Sequence, residues 1–259
     1  MTTYADIWRY RELFGNLWRR DLQSKYKGSV LGVLWVLIPP LVLMGVYLFV
    51  FHYLWRATPI PNYTLYLLAG IAPWVFFSTT IQAGSRAMLQ AASLIRKTRF
   101  PRQLTAFAVV GTNLVTYAFM LAILFVACFV FVPDSRSKLW LALPLSLPLV
   151  GIAAGLALAL ACANVVYRDV EHLVASLLLP WFFLTPIIYS LSQFHHHTLT
   201  QILRYANPIT PPIQAIRAPL LGAWPRPVDV VYLAVACVVS LAVGSWVFTR
   251  VDDQIAVEL

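Results

Sequence analysis

"LWLALPLSLPLVGIAAGLALALACA", residues 139–163, runs without a single Lys, Arg, Asp or Glu. At ~1.5 Å per residue, a helix of this length outreaches the roughly 30 Å hydrocarbon core of a bilayer. The stretch therefore reads as a membrane span. Gly151 and Gly155, four apart, would let a neighbouring helix approach closely. Spacing alone leaves open whether that neighbour belongs to the same chain.

Five more runs of this kind lie to either side, at about 30–55, 63–85, 103–132, 173–190 and 230–249. The 259-residue chain is 60% hydrophobic and only 11% charged, with a mean hydropathy of +0.75. Soluble domains carry about 25% charge, so an ordinary soluble domain is excluded. The expected fold is an all-α integral membrane protein with six transmembrane helices. Residues 1–29 form a separate N-terminal unit and 30–259 the spanning domain. Pro39–Pro40 and Pro73 predict kinks in the first two spans.

Charge sets the orientation. The outer segments would hold Arg56, Arg136, Lys138, Arg204, Arg217 and Arg226, leaving 13 of the 19 lysines and arginines inside. The positive-inside rule then puts both termini in the cytoplasm. A net charge of +9 fits loops held against anionic lipid rather than a nucleic-acid partner. Cys128, Cys162 and Cys237 sit singly in apolar runs and read as buried small hydrophobes. No cleavable signal pattern opens the chain.

None of the six runs contains a Lys, Arg, Asp or Glu, and His52 is the only histidine in one. Ion-coupled transporters need ionisable groups within the membrane, and membrane enzymes need acid–base pairs or metal ligands. A secondary transporter, a self-standing channel and a membrane enzyme are disfavoured accordingly. No metal site and no catalytic residue is expected. No GxxxxGK[ST] loop is present for ATP either. Uphill transport would have to be powered by a separate subunit.

Between the second and third runs lies "SLIRKTRFPRQL", residues 93–104, with Arg96, Lys97, Arg99 and Arg102 in seven residues. Two readings stand on the residues alone. One is a docking plug, with arginines for a partner's carboxylates and Phe100 for a pocket. The other is a topology signal resting on headgroups.

Near the N-terminus, Ile7, Tyr10, Phe14 and Leu17 share a helical face, with Trp8 and Trp18 at its boundary and Arg19 and Arg20 among the cations. Such a helix would lie flat among headgroups or pack on a soluble partner. Residues 191–229 are long for a turn, and "NPITPPIQAIRAPLLG" is apolar but broken by prolines. It reads as short re-entrant helices.

Aromatic residues make up 14% of the chain. Tyr47, Phe51, Trp74, Phe77, Trp181, Phe182, Phe183 and Tyr189 are candidates to line a channel, because rings offer apolar contact without strong directional bonds. The competing reading is interfacial belts and lipid-facing filler. His195, His196 and His197 read as an exposed titrating loop, and "NYT" at 62–64 as a chance sequon.

Four stretches, "RDLQSKYKGSVLGVLWVLIPPLVLMGVYLFVF" (20–51), "SLIRKTRFPRQL" (93–104), "YRDVEHLVASLLLPWFFLTPIIYS" (167–190) and "NPIT" (207–210), together resemble the permease subunits of type-2 ABC exporters, in the polysaccharide-exporting branch. The likeness implies a homodimer carrying two copies of an ABC nucleotide-binding subunit. ATP and Mg would be bound by that subunit, and no cofactor by this chain. It also implies a bacterial inner-membrane location and a lipid-linked polysaccharide substrate of the O-antigen, capsule or teichoic-acid type. A drug or lipid cargo is the alternative.

The resemblance further implies an N-terminal interface helix and a coupling helix at about 94–102, made of Leu94, Ile95, Arg96, Lys97, Arg99, Phe100, Pro101 and Arg102. The chain departs from the family's pattern in its "IPP" at 38–40, in the triple histidine, and at Asp252 and Asp253, where relatives carry a basic, glutamate-rich tail.

Overall fold

The computed structural model describes residues 10–26, 38–47, 49–50, 60–97, 100–191 and 197–258. Every regular element among them is helical. In chain order these are α1 (Arg11–Tyr26), α2 (Ile38–Tyr47), α3 (Tyr63–Gln90), α4 (Ala92–Lys97), α5 (Gln103–Phe131), α6 (Ala142–Val166), α7 (Val170–Leu184), α8 (His197–Tyr205), α9 (Thr210–Leu220) and α10 (Pro227–Glu258). Two short 3-10 turns, Pro133–Ser135 and Leu139–Leu141, join α5 to α6.

Four stretches, Tyr63–Lys97, Gln103–Phe131, Leu139–Val166 and Pro227–Asp252, are long and apolar enough to cross a membrane. They coincide with the runs expected at 63–85, 103–132, 139–163 and 230–249. The run at 173–190 instead folds as the 15-residue α7, which stops at Thr185 with ψ 130°. Thr185 precedes Pro186, whose ring clashes with a helical neighbour and drives it to extended backbone. The first run, 30–55, is described only at 38–47 and 49–50. Pro73 lies inside α3 without ending it.

Helix α3 is the axis of the bundle. Of its most apolar stretch 78% is buried, against 17% for α10. Apolar and aromatic side chains surround it on most sides, with Leu67, Ile71, Phe76 and Phe77 all but fully enclosed. Such a helix belongs at a centre. Helices α5 and α6 flank it, and α6 in turn carries α10.

Where α6 meets α10, lipid offers no hydrophobic drive, so close packing has to hold the pair. A Cβ on Gly155 would strike the Ser240 backbone, and one on Gly244 would strike the Gly155 carbonyl. The Ser240 hydroxyl adds a 2.8 Å hydrogen bond to the Ile152 carbonyl. The small-residue face of 139–163 is therefore used within the chain. On the α3 side of α6, Gly84 abuts Ala157: a Cβ there would lie 2.6 Å from the alanine's own.

Away from α4, Arg204 of α8 forms a buried two-pronged pair with Asp229, the acid in the first turn of α10. Burial alone would lower the Arg204 pKa, but the Asp229 carboxylate outweighs it and holds the cation above its ordinary value. The outward faces of α5 and α10 expose Val126, Phe129, Val235, Val238 and Trp246. Apolar residues in that position suit contact with lipid.

Candidate functional site

The end of the bundle bearing α4 gathers the basic residues. Ser93, Arg96 and Lys97 of this six-residue helix are exposed. Its apolar side chains turn inward. Leu94 and Phe100 pack with Tyr10, Leu13, Phe14 and Trp18 around a core of Leu17, Leu104 and Ala108. Ile95 packs on a second cluster that includes Met88, Ala106, Cys162 and Phe248. Pro101 is buried, and Arg102 reaches Asp252 of α10.

Helix α1 thus lies across the start of α5, with Tyr10, Phe14 and Leu17 forming the apolar face that their spacing predicts. Gly111 leaves room there for the Trp18 indole: an added Cβ would sit 3.3 Å from the ring. Arg19 and Arg20 are exposed, Arg20 pairing with Asp21 at 3.2 Å. Trp8, Arg99, Phe51, His195 and His196 lie outside the described residues, as do the side chains of Tyr47 and His197.

A second gathering is aromatic. Trp74 and Phe77 of α3 meet Trp181 and Phe182 of α7 with ring centroids 5.4–6.3 Å apart, Trp181 making edge-to-face contacts and the Trp74–Phe182 pair tilted. Phe183, half exposed, extends the group at 5.4 Å from Phe182. Asn207, the first residue of "NPIT", clasps it. The Asn207 side-chain oxygen accepts from the Trp181 indole at 2.8 Å, and its nitrogen donates to the Thr185 hydroxyl at 2.9 Å. Within one chain, Trp74, Phe77 and Phe182 are buried against one another.

Beyond α7 the backbone unwinds over Pro186–Tyr189. Carbonyls freed in this way must find partners in an apolar surrounding. Arg217 of α9 donates to the Pro186 and Ile187 carbonyls at 2.9 and 3.2 Å. The Tyr63 hydroxyl serves Ile188 and the Tyr66 hydroxyl serves Tyr189, both at 2.9 Å. Gly70 makes the space for the Arg217 guanidinium, which lies 3.9 Å over the Tyr66 ring. The Tyr189 hydroxyl folds back toward the Phe183 and Leu184 carbonyls at 3.3 Å.

Hydropathy does not single out Arg217, because a cation in a long connection reads as solvated. The available signal is Tyr63 and Tyr66, three apart on one helical face and both able to donate. Arg86 likewise reads from the sequence only as a topology charge, yet it sits 3.3 Å from Glu171 and links α3 to α7.

The molecule so described is a helical, multi-pass membrane protein of the transport-permease class. Residues 12–221 match the model of the ABC-2 type transporter family, and the chain belongs to that family. It is 32% identical over 204 residues to the O-antigen export system permease protein RfbA of Myxococcus xanthus, covering 79% of this chain and 78% of the relative. A Klebsiella pneumoniae protein of the same name is 31% identical over 196 residues, covering 73% of each.

Proposed function

We propose that this chain is the membrane permease of an ATP-driven exporter that carries lipid-linked polysaccharide of the O-antigen, capsule or teichoic-acid type across the bacterial inner membrane. The observation that carries this reading is the extended likeness to O-antigen export permeases over 73–79% of the chain. Two copies of the permease form the channel, and two copies of an ABC nucleotide-binding subunit sit beneath them, with ATP and Mg on that subunit.

Six spans cross the membrane with both termini in the cytoplasm. Helix α1 is the interface helix, and α4 through Arg102 is the coupling element. The apolar residues of this element, Leu94, Ile95 and Phe100, anchor it to the bundle, while Arg96 and Lys97 face outward to a partner's carboxylates. Helices α8 and α9 are the outer re-entrant pair. A push on α4 reaches α1 and α5 through the shared Leu17–Leu104–Ala108 packing.

The test is Arg96→Glu with Lys97→Glu in cells that supply the ATPase subunit and the polymer. Surface polysaccharide is expected to disappear and polymer to accumulate inside, with permease abundance unchanged. Normal surface polysaccharide in that double variant overturns the docking assignment.

A further inference from the structure

Trp74, Ser78, Gln82 and Arg86 recur every four residues along α3 and so form one ridge of the helix. The first three line a groove of about 290 Å³ whose other wall is Ala175, Leu178, Leu179 and Phe182 of α7. Arg86, one turn on, closes the ridge with its ion pair to Glu171 at the start of α7.

Three of the four ridge residues, Ser78, Gln82 and Arg86, are polar. Ser78 turns its hydroxyl back to the Val75 carbonyl at 3.3 Å, a long bond. Gln82 is half-buried, and among the described residues no group bonds its side-chain amide. An amide carries two donors and an acceptor, and facing hydrocarbon with none of them met is unfavourable. The groove beside Gln82 therefore faces water, a polar ligand or a polar group of a second copy rather than lipid tails, and thiol labelling at this position separates these.

We infer that this α3–α7 groove is a subsite for a hydroxyl-rich glycan, with Gln82 as the residue that reads the sugar hydroxyls. The inference rests on the proposed polysaccharide cargo and specifies where on this chain the cargo is felt. Two kinds of surface meet in the groove. Leu178 and Leu179 offer apolar contact to the C–H face of a ring, over a floor formed by the buried Trp74 and Phe182. The Gln82 amide offers paired donor and acceptor to neighbouring hydroxyls. The volume falls just below the roughly 300–1,000 Å³ of small-molecule sites, which suits one short segment of a polymer that must move on.

The experiment uses the full permease with its ATPase subunit in polymer-producing cells. Gln82→Leu, similar in size but without the amide, is expected to lower export at least tenfold with permease abundance and complex formation unchanged. Gln82→Asn should recover part of the loss, which a purely steric role would not allow.

A second arm places Gln82→Cys against an aqueous, membrane-impermeant thiol reagent, with the wild-type chain and its Cys128, Cys162 and Cys237 as background. Labelling that blocks export and slows when polymer is stalled without ATP is expected. Wild-type export from Gln82→Leu overturns the inference. So does a Gln82→Cys chain whose new thiol stays unlabelled, or crosslinks to its counterpart in a second copy, because the ridge would then face lipid or protein. If the wild-type chain itself yields no surface glycan, the proposed function falls, and this inference with it.

Discussion

The Arg102 guanidinium reaches from the start of α5 to α10, where it donates to the Asp252 backbone carbonyl at 2.6 Å and to the Asp252 carboxylate at 2.9 Å. One of the four cations of the basic knot is thus committed inside the chain. Asp252 also accounts for an acid at a position where the family's pattern runs to cations: it ties the last long helix to the segment proposed to meet the ATPase.

That tie is partly exposed, and pairs of this kind contribute about 0–1 kcal/mol to stability. Asp252→Ala is therefore expected to leave thermal unfolding in detergent almost unchanged while reducing export severalfold. The charge swap Arg102→Asp with Asp252→Arg should restore part of the activity. Unfolding curves and surface-polysaccharide assays on the same strains check both halves.

Arg217 presents the opposite case, a cation that is 2% exposed and holds two carbonyls of the unwound Pro186–Tyr189 segment. Removing it strands those carbonyls, and each unpaired buried acceptor costs about 1–3 kcal/mol. Arg217→Ala should lower the melting temperature strongly. Tyr66→Phe, which strands only the Tyr189 carbonyl, should lower it less. Lysine is not expected to substitute well, since its point charge lacks the planar fork that reaches both oxygens.

Gly155→Ala tests the α6–α10 contact. The new methyl would enter the Ser240 backbone, which has no flexible side chain to yield, and overpacking of this sort costs roughly 1–3 kcal/mol. Gly244→Ala should behave alike. Gly15→Ala in α1, where nothing lies within 4 Å, should instead be neutral or stabilising by up to about 1 kcal/mol. Melting temperatures of the three variants decide the point.

Asn207→Ala should loosen the end of α7 by releasing both the Trp181 indole and the Thr185 hydroxyl. The expected cost is about 1–3 kcal/mol. Faster amide hydrogen exchange confined to α7 and the Pro186–Tyr189 segment is the measurement that distinguishes this from global unfolding.

Four of the spans are legible because hydrocarbon imposes a length and a composition that a sequence displays directly. The end of α7 is not: Ile187 and Ile188 keep hydropathy high past the point where the backbone has left the helix. Thr185–Pro186 carries that information, but as backbone sterics rather than polarity. Gly151 and Gly155 announce close packing, yet the facing Gly244 is identified only from the fold.

The aromatics separate in the same way. Trp74, Phe77, Trp181 and Phe182 do come together, but in one chain they fill space against each other. Arg217 is the least legible residue, since its value lies in carbonyls that become unpaired only once α7 breaks.

The glycine-lined seam between α6 and α10 has a mechanical consequence. Where Gly155 and Gly244 let backbone rest on backbone, there is no side chain to slide or rotate, and the two helices travel as a single stave. The shorter α7 has no such seam, so a passage that widens during export would be opened by α7 moving against the α6–α10 frame, with its tail still held by Arg217, Tyr63 and Tyr66.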